Sequence, residues 1–218
     1  MPLEIEQALD RLTELLIELK EEECQRLAQG LLANGTDHLL IKKTFRPALL
    51  EIGRLYESGL YFASSLILVG RVIRKIMEMI HDPLNPELFP GRALLGSLAE
   101  REREEKLQPP LAMTLAAFGY EVQDLGLETA LETFLPEAKR FQPNLIGLHL
   151  GAPPNPSRLR RLIELLKEQG SPEQKLVICL SGPRAQENLR KKTGADYSLT
   201  TIAETMDMFH QLLMSYPF

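Results

Sequence analysis

The sequence predicts an α/β protein in which an N-terminal helical bundle precedes a five-stranded, doubly wound parallel sheet. Two observations lead to this prediction. Over the first 80 residues, leucine and isoleucine recur at the three- and four-residue spacing of amphipathic helices. From residue 92 onward, short apolar runs typical of buried strands alternate with segments of helical length. Units of this kind build a parallel sheet that helices cover on both faces.

The bundle is predicted to contain four or five helices. The apolar pattern over residues 3–32 is broken by acidic residues near 21, which predicts two helices or one interrupted helix. A further helix is expected from His38 to Tyr56, and Pro47 should kink or interrupt it because proline lacks the backbone donor. Residues 62–80 form the last and most apolar helix of the bundle.

A proline-rich stretch without periodicity separates the two patterns and predicts a linker at 82–90, between a helical cap domain (1–81) and an α/β domain (91–218). The strands of the second domain are predicted at 92–98, 120–125, 144–150, 175–181 and 196–199. Its helices are predicted at 109–118, 128–140, 156–169, 184–193 and 202–214. Five such units favour the flavodoxin-like strand order 2-1-3-4-5, whose switch point lies between the first and third strands.

Composition narrows the range of functions. The chain has 25 Lys and Arg against 30 Asp and Glu, a formal net charge of -5, and no long basic face, which argues against nucleic acid as a partner. The apolar runs are far shorter than the ~20 residues of a membrane span, and the acidic start is unlike a signal peptide, so we expect a soluble cytoplasmic protein. Cys24 and Cys179 lack metal-ligand spacing and are interpreted as reduced packing residues.

A ligand site is expected at the switch point, where the loops after the first, third and fourth strands meet. The first of these loops, residues 99–107, carries seven charged residues. Two interpretations of it stay open. Opposite charges four residues apart are typical of a solvated helical turn. Alternatively, Arg101 or Arg103 could bind a phosphate of a nucleotide tail.

Residues 49–62 read Leu-Leu-Glu-Ile-Gly-Arg-Leu-Tyr-Glu-Ser-Gly-Leu-Tyr-Phe. This run resembles the hydrophobic-Val-Gly-x-Leu-x-Glu-x-Gly-x-Tyr-Phe segment of the corrinoid proteins of methanol, methylamine and aromatic O-demethylation methyltransferase systems. Segments 118–126, 143–148 and 194–197 are similar to scaffold segments of the same family. The resemblance implies a helical cap, a cobalamin-binding domain, and a methyl-group carrier that serves separate methyltransferases and is not a complete enzyme.

The family's first cofactor motif is altered in this chain. The family places Asp-x-His-x-x-Gly after its first strand, where the histidine ligates cobalt and the aspartate orients that histidine. Counting from either side puts Arg103 or Glu104 at the histidine position, so the ligand is missing. The glycine of the motif becomes Lys106 or Leu107, which adds bulk where the family brings backbone close to the cofactor tail.

The other two motifs are altered as well. The family has Ser-x-Leu after the third strand and Gly-Gly after the fourth. Here the serine position is His149 and the leucine position is Gly151. Ser181 replaces the first glycine of the pair, and Gly182 is retained. The resemblance therefore implies a cobalamin site that lacks the usual axial histidine.

His149 is the candidate to replace the missing ligand, because neutral imidazole binds cobalt and iron well and Glu102 or Glu104 could fix its tautomer. The alternative is a histidine that caps a strand end with no metal nearby. Tyr61 and Phe62 match the part of the cap that shelters the upper face of the corrin in the family. They are otherwise ordinary anchors between two helices.

Three functional hypotheses follow. The first is a module that binds cobalamin, or another tetrapyrrole, between the cap and the α/β domain. The second is a degenerate paralogue without a cofactor that acts as a regulatory or interaction protein, and the third is a haem-binding sensor. The intact cap segment favours the first, whereas the lost histidine and glycines favour the second. The expected partner is a methyltransferase or a regulatory protein, with no nucleic acid and no membrane, and His38, His81 and His210 are expected at the surface or in the linker.

Overall fold

The computed structural model describes residues 3–80, 91–98, 108–151, 153–169 and 176–215, except for the side chains of 108–110. These residues form two compact units. The unit that we call the helical unit comprises the described residues within 1–89, 117–119 and 202–218. The sheet unit comprises those within 90–116 and 120–201. The predicted linker and His81 lie outside the described residues.

The described elements follow the predicted alternation of helices and strands. The helices are α1 (Leu3–Ile17), α2 (Glu21–Ala33), α3 (His38–Glu57), α4 (Ala63–Ile80), α5 (Gln108–Ala117), α6 (Leu131–Phe141), α7 (Pro156–Gln169), α8 (Glu187–Thr193) and α9 (Ile202–Ser215). The strands are β1 (Arg92–Ser97), β2 (Glu121–Asp124), β3 (Leu145–His149), β4 (Val177–Ser181) and β5 (Tyr197–Leu199).

The break predicted near residue 21 is confirmed, since α1 and α2 are separate helices. At the start of α3, the Asp37 side chain accepts a hydrogen bond from the backbone N–H of Leu39 at 2.8 Å, as expected of an N-cap. Of the two effects predicted for Pro47, the interruption of α3 is wrong, because the helix continues to Glu57, and the kink stays a prediction. Pro47 and Lys43 both lie on the exposed side of α3, where water can satisfy the carbonyl that lacks a helical donor.

The last helix of the chain packs on α3. A Cβ built on Gly53 would lie 2.7 Å from the Cα of Ala203, so the two helix backbones are in close contact. Glu57 Oε1 accepts a hydrogen bond from Ala203 N at 2.9 Å, and Arg46 pairs with Asp207 at 2.7 Å. By chain order the sequence assigned this helix to the α/β domain that begins at 91, whereas its contacts group it with the helical unit.

The expectation that His210 lies at the surface is wrong. His210 is 7% exposed on α9, and both of its ring nitrogens are buried. Lys42 of α3 is buried as well, at 1% exposure. Local sequence pattern could not show this, because the burial comes from the packing of α9 on a helix about 160 positions earlier in the chain. His38, at the start of α3, is exposed as expected.

The sheet unit has the predicted strand order, β2-β1-β3-β4-β5, and every pairing is parallel. Alternate strand residues point to opposite faces. On one face, Leu94, Ile146 and Ile178 form the main core with residues of α6 and α7. On the other face, Leu95 and Leu111 of α5 lie against Gly147.

Both cysteines have the predicted structural role. Cys24 and Cys179 are buried and carry free thiols, and burial raises the pKa of each to about 12. Neither is poised to react as a thiolate near neutral pH. No helix within the described parts of the chain is both long and apolar enough to cross a membrane.

Candidate functional site

A row of polar side chains crosses three neighbouring strands at their carboxyl ends. Ser97 ends β1, His149 ends β3 and Ser181 ends β4, and the register pairs Ser97 with His149 and His149 with Ser181. Paired residues of parallel strands point to the same face, here the face that Leu95 shares with α5. The three residues are 0%, 3% and 3% exposed. The row therefore lies buried at the switch point between β1 and β3, where ligands of such sheets bind.

The imidazole of His149 is held on one side by Ser181. Ser181 Oγ lies 3.4 Å from Nδ1 of His149, at the long end of the hydrogen-bond range. The hydroxyl can donate to this nitrogen or accept from it, depending on the tautomer of the ring. The contact therefore turns Nδ1 toward β4 and leaves Nε2 as the ring nitrogen on the opposite edge.

Gly182 holds the same ring on a second side. Its φ of +96° is a left-handed conformation, and a Cβ built there would lie 2.7 Å from Cε1 and 3.0 Å from Nδ1 of His149. The same Cβ would lie 3.0 Å from the carbonyl oxygen of Leu150. Only glycine fits here, because a side chain would be strained by the backbone and would also collide with the ring. We call this arrangement, formed by Ser181, Gly182 and Leu150, the His149 seat.

Backbone hydrogen bonds fix the seat in place. Leu150 N donates to Ser181 O at 2.8 Å, and Gly182 N donates to Leu199 O at 3.0 Å. On the other side of the row, Leu98 N donates to His149 O at 2.9 Å. Four adjacent strands thus hold the backbone around His149.

The structure describes only some of the other predicted site residues. Gly151 lies two residues beyond His149, half-buried in the loop that follows β3. Arg103 and Glu104, with the whole charged stretch 99–107, lie outside the described residues, so their cofactor contacts stay a prediction. Sequence reasoning missed Ser97, which the row includes. The signal was available, because Ser97 is a polar residue that closes an apolar strand at the predicted switch point.

Tyr61 and Phe62, in the turn between α3 and α4, have different surroundings. The Tyr61 hydroxyl donates to the carbonyl oxygen of Ile17 at 2.6 Å and ties the turn to the end of α1, as expected of an anchor. Phe62 is 69% exposed and the neighbouring Leu60 is 68% exposed. The interpretation of Phe62 as an anchor between helices is therefore wrong.

The described residues offer single donors to a metal and no complete ligand set. No group of three His, Cys, Asp or Glu side chains converges within the parts of the chain that the structure describes. An imidazole is nonetheless a suitable axial ligand for a metal whose other ligands come from a macrocycle. The imidazole of His149 is therefore a chemically suitable donor for a cofactor that holds its metal in a macrocycle.

The fold and this edge of the sheet define a protein with a helical unit and a doubly wound parallel sheet unit that has a buried imidazole at the switch point. A family model described as the B12 binding domain matches residues 8–81. The solved structure of a cobalamin-binding protein from Desulfitobacterium hafniense shares the fold, with a TM-score of 0.61 at 21% identity, over 94% of this chain and 98% of that one.

Two relatives identified by sequence have names that state a more specific type of protein. The chain is 23% identical over 212 residues to dimethylamine corrinoid protein 1 of Methanosarcina mazei, covering 89% of this chain and 98% of that protein. It is 24% identical over 196 residues to trimethylamine corrinoid protein 1 of Methanosarcina acetivorans, covering 88% and 90%. The resemblance noted from the sequence is confirmed: this chain is similar to methylamine corrinoid proteins over most of its length.

Proposed function

We propose that this protein binds cobalamin at the carboxyl edge of the sheet unit, where His149 would be the residue that ligates the cobalt, and carries methyl groups for separate methyltransferases. The observation that carries the proposal is the position of His149 at the end of β3, at the switch point, with its ring oriented by Ser181 and Gly182. Its relatives are corrinoid proteins, and a B12-binding model matches its helical unit.

Cobalamin, when bound, supplies a cobalt centre that can accept and give up a methyl group. The chain's own contribution is to bind and orient the cofactor and to offer an imidazole. A hydrogen bond to the far nitrogen of a ligating histidine sets its tautomer and raises its basicity. The contact of Ser181 Oγ with Nδ1 supports that role for Ser181, and Nε2 would then be the donor atom to the metal.

A second candidate function is an interaction protein on the same fold that has no cofactor. The observation in its favour is the burial of His149, since a ring at 3% exposure already has a packed environment. Under that hypothesis the row Ser97, His149 and Ser181 only stabilises the strand ends. The two functions differ in one measurable property, which is the retention of pigment.

The deciding experiment adds hydroxocobalamin, and separately haemin, to the purified protein, removes unbound pigment by desalting, and records the visible spectrum. We expect retention of about one cobalamin per chain at micromolar affinity or better, the range of a specific ligand site. His149→Ala should shift the spectrum and reduce retention. His38→Ala, which alters an exposed histidine of α3, is the matched control and should change neither.

Three results would revise the proposal. Cobalamin retained with an unchanged spectrum in His149→Ala would remove His149 as the ligand and leave cobalamin binding in place. Retention of haemin alone would redirect the proposal to haem. If neither pigment is retained by the folded protein, the proposal fails and the interaction protein is favoured.

A further inference from the structure

We infer that the docking of α9 (Ile202–Ser215) on α3 is a pH-sensitive switch: the helix stays docked while His210 is neutral and is released locally, with the rest of the helical unit still folded, when His210 takes up a proton. The switch lies within the helical unit and does not depend on cobalamin binding. Three observations carry it: the burial of His210, the charges that face its ring, and the contacts that hold α9 on α3.

The burial of His210 suits the neutral ring only. The residue is 7% exposed, and neither ring nitrogen has a hydrogen-bond partner among the residues that the structure describes. The backbone of Lys42 is near enough to attract a charged ring, but not within hydrogen-bond geometry. A buried polar group without a partner costs free energy, and a buried charge without a partner costs more. Protonation therefore destabilises the docked position of α9.

The charges that face the ring come from both helices. Burial lowers the pKa of His210 most, and the positive charges of Arg46 and Lys42 on α3 lower it further. Asp207, three residues earlier on α9, raises it. The carboxylate of Asp207 already pairs with Arg46 at 2.7 Å, and Lys42 is itself 1% exposed. A proton on His210 thus adds a third positive charge beside Arg46 and Lys42.

The polar contacts that hold α9 are ones that water can replace. At its first turn, Ala203 N donates to Glu57 Oε1 at 2.9 Å, and the ion pair between Arg46 and Asp207 is partly exposed. Such contacts contribute little net stability. The apolar face of α9 includes Phe209, whose ring centroid lies 4.9 Å from that of Phe118. Residues 117–119 carry no ionisable side chain that could neutralise a charged His210.

The direction of the switch follows from the two states of the ring. Release returns the imidazole to water, where its pKa is the ordinary 6.5, whereas the pKa in the docked state is lower. The released state therefore binds the proton more tightly, and the released fraction rises as the pH falls through 6.5. The rise is at most about tenfold per pH unit and stops below the docked-state pKa.

The test is hydrogen exchange of the full chain at pH 7.5, 6.5 and 5.5, measured on peptides by mass spectrometry and corrected for the intrinsic rate at each pH. Protection of α9 should fall by up to about tenfold between pH 6.5 and 5.5. It should also stay more than about tenfold below the protection of α2, which reports opening of the whole helical unit.

Two variants assign the effect to this contact. His210→Gln removes the titrating ring and should make the protection of α9 independent of pH over this range. Lys42→Met keeps a long side chain and removes a charge that repels the protonated ring, so α9 should lose less protection on acidification than in the wild type. Circular dichroism checks that both variants are folded.

Three results would overturn the inference. Equal protection of α9 and α2 at every pH would mean that α9 opens only with the whole helical unit. A fall in His210→Gln as steep as in the wild type would assign the effect to another group. If His210→Gln does not fold, the wild type and Lys42→Met decide, because a pH-independent protection of α9 in the first, or an unreduced fall in the second, contradicts the switch.

Discussion

The imidazole of His149 lies beside Gly182, close enough that a Cβ built on the glycine would be 2.7 Å from Cε1. The rotamer of the histidine thus depends on the absence of a side chain one strand away. This contact gives a physical reason for the glycine after β4, although the position before it carries Ser181 where the resembled family has a second glycine. It also makes Gly182 the position from which the orientation of His149 can be changed without altering the histidine.

Gly182→Ala should lower the free energy of unfolding by about 2–4 kcal/mol, from a left-handed backbone and a collision with a buried ring. Gly194→Ala is the matched control, because Gly194 has a similar φ of +77° and no atom within 4 Å of an added Cβ. The control should lose only about 1 kcal/mol, the strain alone. Urea unfolding of both variants measures the difference. Equal losses would show that the imidazole moves aside freely and that the seat is not rigid.

A second close approach, in the helical unit, gives a similar comparison. Gly53→Ala should destabilise by about 2–3 kcal/mol, because its methyl group would meet the backbone of Ala203 at 2.7 Å, and α9 would have to move. Gly30→Ala, inside α2 with nothing within 4 Å, should stabilise by up to about 1 kcal/mol through helix propensity. Thermal unfolding distinguishes the two. A neutral Gly53→Ala would contradict the tight packing of α9 on α3.

The strand order could be predicted from sequence because it depends on local signals and one topological rule. Apolar runs located β1 to β5, and the number of strand-helix units then favoured the order that the sheet has. The packing partner of α9 and the burial of His210 could not be predicted in this way. They depend on contacts with α3, which periodicity within α9 does not report.

The site was predictable to a similar extent. Sequence alone put His149 and Ser181 at strand ends, since each closes an apolar run. That Nδ1 of His149 faces Ser181 Oγ depends on the register of β3 and β4, which is fixed only in the folded sheet. Gly182 was recognised as a retained motif residue, but the group that covers it is the chain's own histidine.

The segment 49–62 favoured a retained cofactor at the level of sequence, and the structure narrows that argument. Gly53 is explained by the approach of α9, and Tyr61 by its hydrogen bond to Ile17. Both residues have structural roles in the helical unit that need no ligand. The exposure of Phe62 and Leu60 is the part of the segment that packing within the described structure leaves unexplained.

Substitutions of Tyr61 and Phe62 should therefore change different properties: the first the stability of the fold, the second the affinity for cobalamin. Tyr61→Phe removes one hydrogen bond, which should cost about 1 kcal/mol of stability and leave the affinity for cobalamin unchanged. Phe62→Ala should leave the unfolding midpoint unchanged, because the side chain is 69% exposed. If Phe62 makes the corrin contact that the family resemblance implies, the same substitution should weaken cobalamin binding by about tenfold, the loss expected for an aromatic contact. Thermal unfolding and pigment titration measure the two properties. Unchanged affinity in Phe62→Ala would exclude this residue from the cofactor contact.

The stability of the helical unit should fall as the solution is acidified from pH 7.5 to 5.5, and His210 should be one cause. Burial lowers the pKa of His210 below its ordinary value of 6.5, the negative charge of Asp207 opposes that shift, and the positive charge of Arg46 adds to it. As the pH falls through 6.5, the unfolded chain takes up the proton first, and the free energy of unfolding decreases by at most about 1.4 kcal/mol per pH unit from this group. The decrease from His210 stops once the pH is below its folded-state pKa.

His210→Gln removes the titrating ring and should flatten that dependence. The measurement is the free energy of unfolding of both proteins at pH 7.5, 6.5 and 5.5. The titration of Asp207 should not contribute between pH 7.5 and 5.5, because the hydrogen bond from Arg46 lowers the pKa of its carboxyl below the ordinary value of 3.8. The stability that Asp207 contributes is therefore lost only at more acidic pH. Parallel slopes in the wild type and His210→Gln would show that the packing of α9 tolerates a charged His210.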